Sequence, residues 1–183
     1  MRIYYDTEFL DDGRTIDLIS IGMVAEDGRE LYAVSSQFDQ GAVRRNGWLM
    51  ANVWPSLPIL KNPPGQRGTD RIDVTDPDVH PRAQIARMVE HFILDTPDPQ
   101  LWAYYSAYDH VALAQLWGPM INLPAGIPMQ SDDIVTLAKL AGLTPADLPK
   151  QADGHHNAIA DARHNRVMAD YIDAHAARTT LTN

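Results

Sequence analysis

The sequence predicts an α/β fold, a mixed central sheet with helices packed on both faces. Three observations predict it. Three strand-like runs joined by short turns open the chain, the mark of an antiparallel meander. Helical periodicity dominates the second half. Between two of the helical segments lies a buried-type strand, the alternation that adds parallel strands to such a sheet.

Residues 2–9 read as the first strand, and Asp11-Asp12-Gly13 as a turn. Residues 17–24, rich in branched aliphatics, form the second strand. Asp27-Gly28 marks a tight hairpin into a third strand at 29–38. Residues 39–53 are predicted helical, with Val43, Trp48, Leu49 and Val53 on one side, so Trp48 is expected in the core. Residues 54–81 hold Pro55, Pro58, Pro63, Pro64, Gly65, Gly68 and Pro77, and are expected to form a long irregular excursion. A helix is predicted at 78–94, with Pro81 in its first turn. Residues 100–105 read as a strand and 109–117 as a helix. Residues 129–131 suggest a short edge strand, and 132–141 a helix capped by Ser131 or Asp132 and ended by Gly142. A final helix is predicted at 157–178.

The 183 residues suit one domain with a full-sized core, spanning 1–183. With no cysteine, disulfides, thiolate zinc sites and a Cys nucleophile are excluded together. No stretch of eighteen apolar residues is present, so no membrane span is expected, and the N-terminus lacks the pattern of a signal peptide. A cytoplasmic protein is the simplest expectation. The net charge of −9 argues against coating long nucleic acid by counterion release. It leaves room for an enzyme acting on a chain end, where bound cations reverse the local field. The basic clusters Arg44-Arg45, Arg67 with Arg71, and Arg163 with Arg166 each read first as solvated surface; Arg163 with Arg166, one turn beyond Asp161, is the best of the three as a phosphate contact.

The chemistry lies in Asp6, Glu8, Asp109, His156 and Asp161. Asp6 and Glu8 are two apart on a strand, so both side chains leave one face. Ile3, Tyr4, Tyr5 and Phe9 make that strand central, where unpaired carboxylates are costly. Asp109 follows the apolar run 101–108; alone it would serve as an N-cap. His156 and Asp161, five apart, would sit about 140° around a continuous helix, so His156 belongs to the loop before it and Asp161 to the first turns. Four converging carboxylates suit two hard divalent cations, a device for phosphodiester cleavage. Phe9 is placed to wedge against a terminal base, and Thr7 to offer its backbone or hydroxyl to a terminal ribose.

These motifs, in this order and spacing, resemble the DEDDh branch of the DEDD 3′-5′ exonuclease superfamily. The likeness is greatest to the actinobacterial polyadenylate-specific 3′-5′ exoribonucleases. The resemblance implies a ribonuclease H-like fold and removal of nucleotides as 5′-monophosphates from single-stranded RNA 3′ ends, with adenylate preference. It implies two divalent cations, Mg²⁺ or Mn²⁺. Asp6, Glu8 and Asp161 would ligate the first, Asp6 would bridge, and Asp109 would hold the second. His156 would be the general base, and a homodimer the working state. One departure is the run Ser106-Ala107-Tyr108-Asp109, where many members have Asn and Phe before the aspartate. Competing readings are a DNA or oligonucleotide exonuclease, a small-molecule metallophosphatase, or a catalytically weak nucleotide- or RNA-binding module. All five catalytic positions are filled, which argues against the last.

Overall fold

The structure, a computed structural model, describes residues 1–63 and 68–180, except the side chain of residue 180. Pro64, Gly65 and Arg67 lie outside the described residues. The chain opens with β1 (Arg2–Asp11), β2 (Ile16–Ala25) and β3 (Glu30–Ser35). The one predicted helix at 39–53 is two helices, α1 (Gln40–Arg45) and α2 (Gly47–Asn52). Asn46 breaks them apart. Its backbone is extended, and its side chain accepts from the N–H groups of Trp48 and Leu49, both at 3.1 Å. A short amide that can bond its own following backbone favours a cap over a helix interior.

In its described residues the Pro- and Gly-rich excursion holds short regular elements. A 3-10 turn at Trp54–Ser56 leads to a two-stranded ribbon, β4 (Ile59–Leu60) with β5 (Arg71–Ile72), and then to β6 (Val79–His80). Next come α3 (Arg82–Leu94), β7 (Gln100–Ala103), α4 (Ala107–Ala114), β8 (Asp132–Asp133), α5 (Ile134–Leu140) and α6 (Ala158–Thr180). Three boundaries correct the sequence expectation. α3 starts after Pro81, which caps it in extended conformation. The edge strand falls at Asp132–Asp133 instead of 129–131. Asp133, not Ser131 or Asp132, caps α5 by accepting from the Thr136 N–H at 2.7 Å.

The six-stranded sheet runs β6-β3-β2-β1-β7-β8. The meander β1-β2-β3 is antiparallel, β7 and β8 extend parallel beside β1, and β6 pairs parallel with β3. Side-chain alternation then divides the core. Ile3 and Tyr5 of β1 pack with Ile85, Val89 and Ile93 of α3 and Leu113 of α4. Tyr4 packs on the other face with Ile134 and Ala138 of α5 and Met168 and Ile172 of α6. Full burial of each large aliphatic here contributes about 1.5–3 kcal/mol. No helix among the described residues is long and apolar enough to cross a membrane.

Candidate active site

The site forms where two strands part. β1 pairs with β7 only from Arg2 to Tyr4, but stays paired with β2 as far as Asp11. Past Tyr4 a crevice opens at the carboxyl ends of β1 and β7, the usual place for a site in such sheets. Asp6 and Glu8 share the Tyr4 face, toward α6. Thr7 points the other way, toward α4.

Asp109 lies inside the first turn of α4, and Ser106 occupies the cap position. Asp109 is buried, and its Oδ1 accepts both the N–H and the hydroxyl of Thr7, at 2.8 and 2.7 Å. Both Thr7 donors therefore serve Asp109, while Thr7 itself lines the cavity.

Asp161 sits in the first turn of α6. Its Oδ2 accepts the His156 N–H at 2.8 Å, and its Oδ1 accepts Gln151 Nε2 at 2.7 Å. Two features seat α6 against the sheet. Asn165 Nδ2 donates to the Tyr5 carbonyl at 2.9 Å, and Gly22, paired with Asp6, leaves room for the first turn. His156 lies in the loop before α6, and Asn157 caps the helix by accepting from the Ala160 N–H at 3.2 Å. Ligand atoms of Glu8, His156 and Asp161 lie within 4.8 Å of one another. His155 is exposed and bonds the Gln151 carbonyl at 3.1 Å.

All five residues line one cavity of about 600 Å³. Its aromatic wall differs from expectation. Phe9 lines it, stacked on Tyr108 at 6.0 Å. Trp48 is 55% exposed instead of being core, because the break at Asn46 turns it outward. Its ring meets His156 edge-on at 4.8 Å. Arg163 and Arg166 are both held elsewhere. Arg163 pairs with Glu30, while Arg166 donates to the Ala25 and Glu26 carbonyls. Lys150 is the one Lys or Arg lining the cavity among the described residues.

Burial raises the pKa values of Asp6, Glu8 and Asp109. Glu8 is pushed up from 4.5 to about 8, first by desolvation and then by Asp161 and Asp109. Asp109 rises from 3.8 to about 6 by desolvation, against the lowering effect of its Thr7 bonds. Asp6 is raised well above the carboxylate range by desolvation and by its three acidic neighbours, although it keeps partial access to the cavity. Among the described residues none of the four acids forms an ion pair with Lys or Arg. Crowded, unpaired carboxylates with only oxygen donors fit hard divalent cations.

Gln151, Lys150 and Tyr104 also line the cavity and were not assigned to it from sequence. A lone polar or aromatic residue in a loop carries no periodic signal, so only the fold reveals them.

Sheet order and helix placement define the class: this is a ribonuclease H-like fold. A product-bound exonuclease I superposes with a TM-score of 0.58 at 13% identity, covering 97% of this chain and 44% of that one. The E. coli exonuclease I–single-stranded DNA complex, in its zinc-bound form, gives 0.55 at 14% identity, covering 99% and 42%. The chain thus spans less than half the length of those exonuclease I chains. Over residues 1–173 the sequence matches the Rv2179c-like 3′-5′ exoribonuclease domain, and the chain belongs to that family. The 3′-5′ exoribonuclease Rv2179c of Mycobacterium tuberculosis (strain ATCC 25618 / H37Rv) is 44% identical over 165 residues, which is 89% of this chain and 88% of the relative.

Proposed function

We propose that the protein is a metal-dependent 3′-5′ exoribonuclease releasing nucleoside 5′-monophosphates from single-stranded RNA 3′ ends. The observation that carries this is the set of four carboxylates in one cavity, without Lys or Arg ion-pair partners among the described residues, with His156 on its wall. Asp6, Glu8 and Asp161 would hold one cation, and Asp6 with Asp109 a second, Mg²⁺ or Mn²⁺. Bound there, such ions supply Lewis acidity toward the phosphodiester and its departing 3′ oxygen. The remaining tasks belong to the chain. His156 takes the proton from the attacking water. Asp161 fixes the backbone of that histidine, and Thr7 holds Asp109 in place. Phe9 and Trp48 offer aromatic faces for the terminal base, a grip that tolerates any sequence.

The test is a gel time course on RNA and DNA of one sequence, labelled at either end, with adenylate-ended and mixed strands compared. A ladder from the 5′ label with immediate loss of the 3′ label is expected on RNA, silenced by EDTA and restored by Mn²⁺ or Mg²⁺. Internal cuts, persistence of the 3′ label, or a higher rate on DNA would overturn the proposal.

A further inference from the structure

We infer that Ser56 is a positioning residue for His156, acting through its backbone. The inference rests on the assignment of His156 as the base. His156 holds φ at +59°, one of three non-glycine positive-φ residues among those described. An L residue keeps that conformation only where its surroundings impose it.

The two peptide units flanking His156 are clamped from opposite sides. Its N–H donates to Asp161 Oδ2 at 2.8 Å, and its carbonyl accepts the Ser56 hydroxyl at 2.7 Å. Ser56 is 100 residues away in the chain. Its hydroxyl also lies 2.8 Å from the Val53 carbonyl, which already accepts the Ser56 N–H at 3.0 Å. Among the described hydrogen bonds no other donor reaches the His156 carbonyl. A hydroxyl has one proton, and the His156 carbonyl is the acceptor left in need of it.

The supporting segment is itself anchored. Ser56 ends the 3-10 turn begun by Trp54, whose buried ring lies beneath the Arg44 guanidinium at 5.1 Å. Trp48, from the adjoining α2, bounds the imidazole edge-on. A stretch that contributes no acid to the site therefore sets the backbone and one side of the imidazole. Displacement of a reacting group by a fraction of an ångström costs rate without costing substrate binding.

The test places Ser56→Ala and Ser56→Thr in the wild-type chain, and Ser56→Ala also in a His156→Ala chain. Single-turnover rates and KM are measured on a 5′-labelled oligoadenylate, with Mn²⁺ affinity by calorimetry. The expected result is a kcat lower by about tenfold for Ser56→Ala, with KM and Mn²⁺ affinity unchanged and activity rescued by Ser56→Thr. In the His156→Ala background the same change should do nothing further. Unaltered kcat in Ser56→Ala, or the same fold-loss in both backgrounds, overturns the inference. Wild-type turnover by His156→Ala overturns the base assignment and this inference with it, a result distinct from the other two.

Discussion

Gly22 lies so close beneath Ala158 that a Cβ built on the glycine would sit 2.3 Å from the Ala158 carbonyl oxygen. The same glycine pairs with Asp6 across the β1–β2 ladder. The contact sets how near the first turn of α6 comes to the sheet, and so how near Asp161 comes to Glu8. Gly22→Ala must push rigid backbone away, since the Ala158 carbonyl carbon and Ile159 Cα would also lie at 2.4 Å. Overpacking of this kind costs about 1–3 kcal/mol, and each kcal/mol lowers Tm by about 2–4 °C in a chain of this size. Activity should fall further than that stability loss explains. A melt together with an exonuclease assay checks this, and full activity would show that the approach of α6 is not what assembles the site.

Asp6→Asn should abolish metal-dependent cleavage and yet leave the metal-free protein at least as stable as wild type. The reason is electrostatic: Asp6 is destabilised in its charged form by burial and by Asp109, Glu8 and Asp161. Removing the charge relieves that strain. Thermal melts in EDTA at pH 8 measure it, and a large drop in Tm would contradict the reading of the cluster as repulsive.

The metal-free protein should lose stability as pH rises. Glu8 binds a proton more tightly folded than unfolded, about 8 against 4.5, and Asp109 about 6 against 3.8. Their contribution is fully present below the unfolded values and disappears as pH climbs through the folded ones. Tm in EDTA is therefore expected to fall between pH 5 and 8.5. Cation affinity should rise over the same range, because protons must leave the ligands. Melts with and without Mn²⁺ across that range decide the matter, and a metal-induced gain larger at pH 5.5 than at 8.5 would reverse the sign.

Thr7→Val removes the hydroxyl donor to Asp109 and keeps the N–H. A hydrogen bond to a charged group contributes about 1.5–3 kcal/mol. Asp109 should then ionise at higher pH, and a pH–rate profile should shift its acid limb upward. An unmoved limb would separate Asp109 from the reaction.

His156→Ala should leave cation binding nearly intact and reduce kcat by about 10²–10⁴. Calorimetry beside a turnover assay checks both halves, and wild-type turnover would remove the imidazole from the mechanism.

Much of the fold was legible because its signals are periodic. The meander follows from branched residues in β2 and β3 and from the Asp27-Gly28 turn, and the acids followed from carboxylates placed among apolar neighbours. What escaped depended on single residues. Asn46 reads as an ordinary member of a helix until its side chain is seen capping α2, and that one break moved Trp48 from the expected core to the cavity wall. β6 is two residues long, too short for an alternating pattern, and its pairing with β3 is a tertiary fact. Ser56 and Gln151 reach the site over 100 and 10 residues by side-chain bonds that leave no spacing to read. Arg163 and Arg166 have the right charge and place for a phosphate contact, but Glu30 and the carbonyls of Ala25 and Glu26 take them first.

The parting of β1 from β7 puts the candidate catalytic groups on two mechanically different supports. Asp6 and Glu8 are rooted in a strand that cannot leave the sheet without dismantling the core, whereas His156 lies in a loop, its own backbone held by two side-chain hydrogen bonds. Amides along β1 should therefore exchange with solvent only through whole-molecule opening, and those around His156 through local release. Mild denaturant would silence turnover while the sheet, and the acids anchored in it, stayed intact.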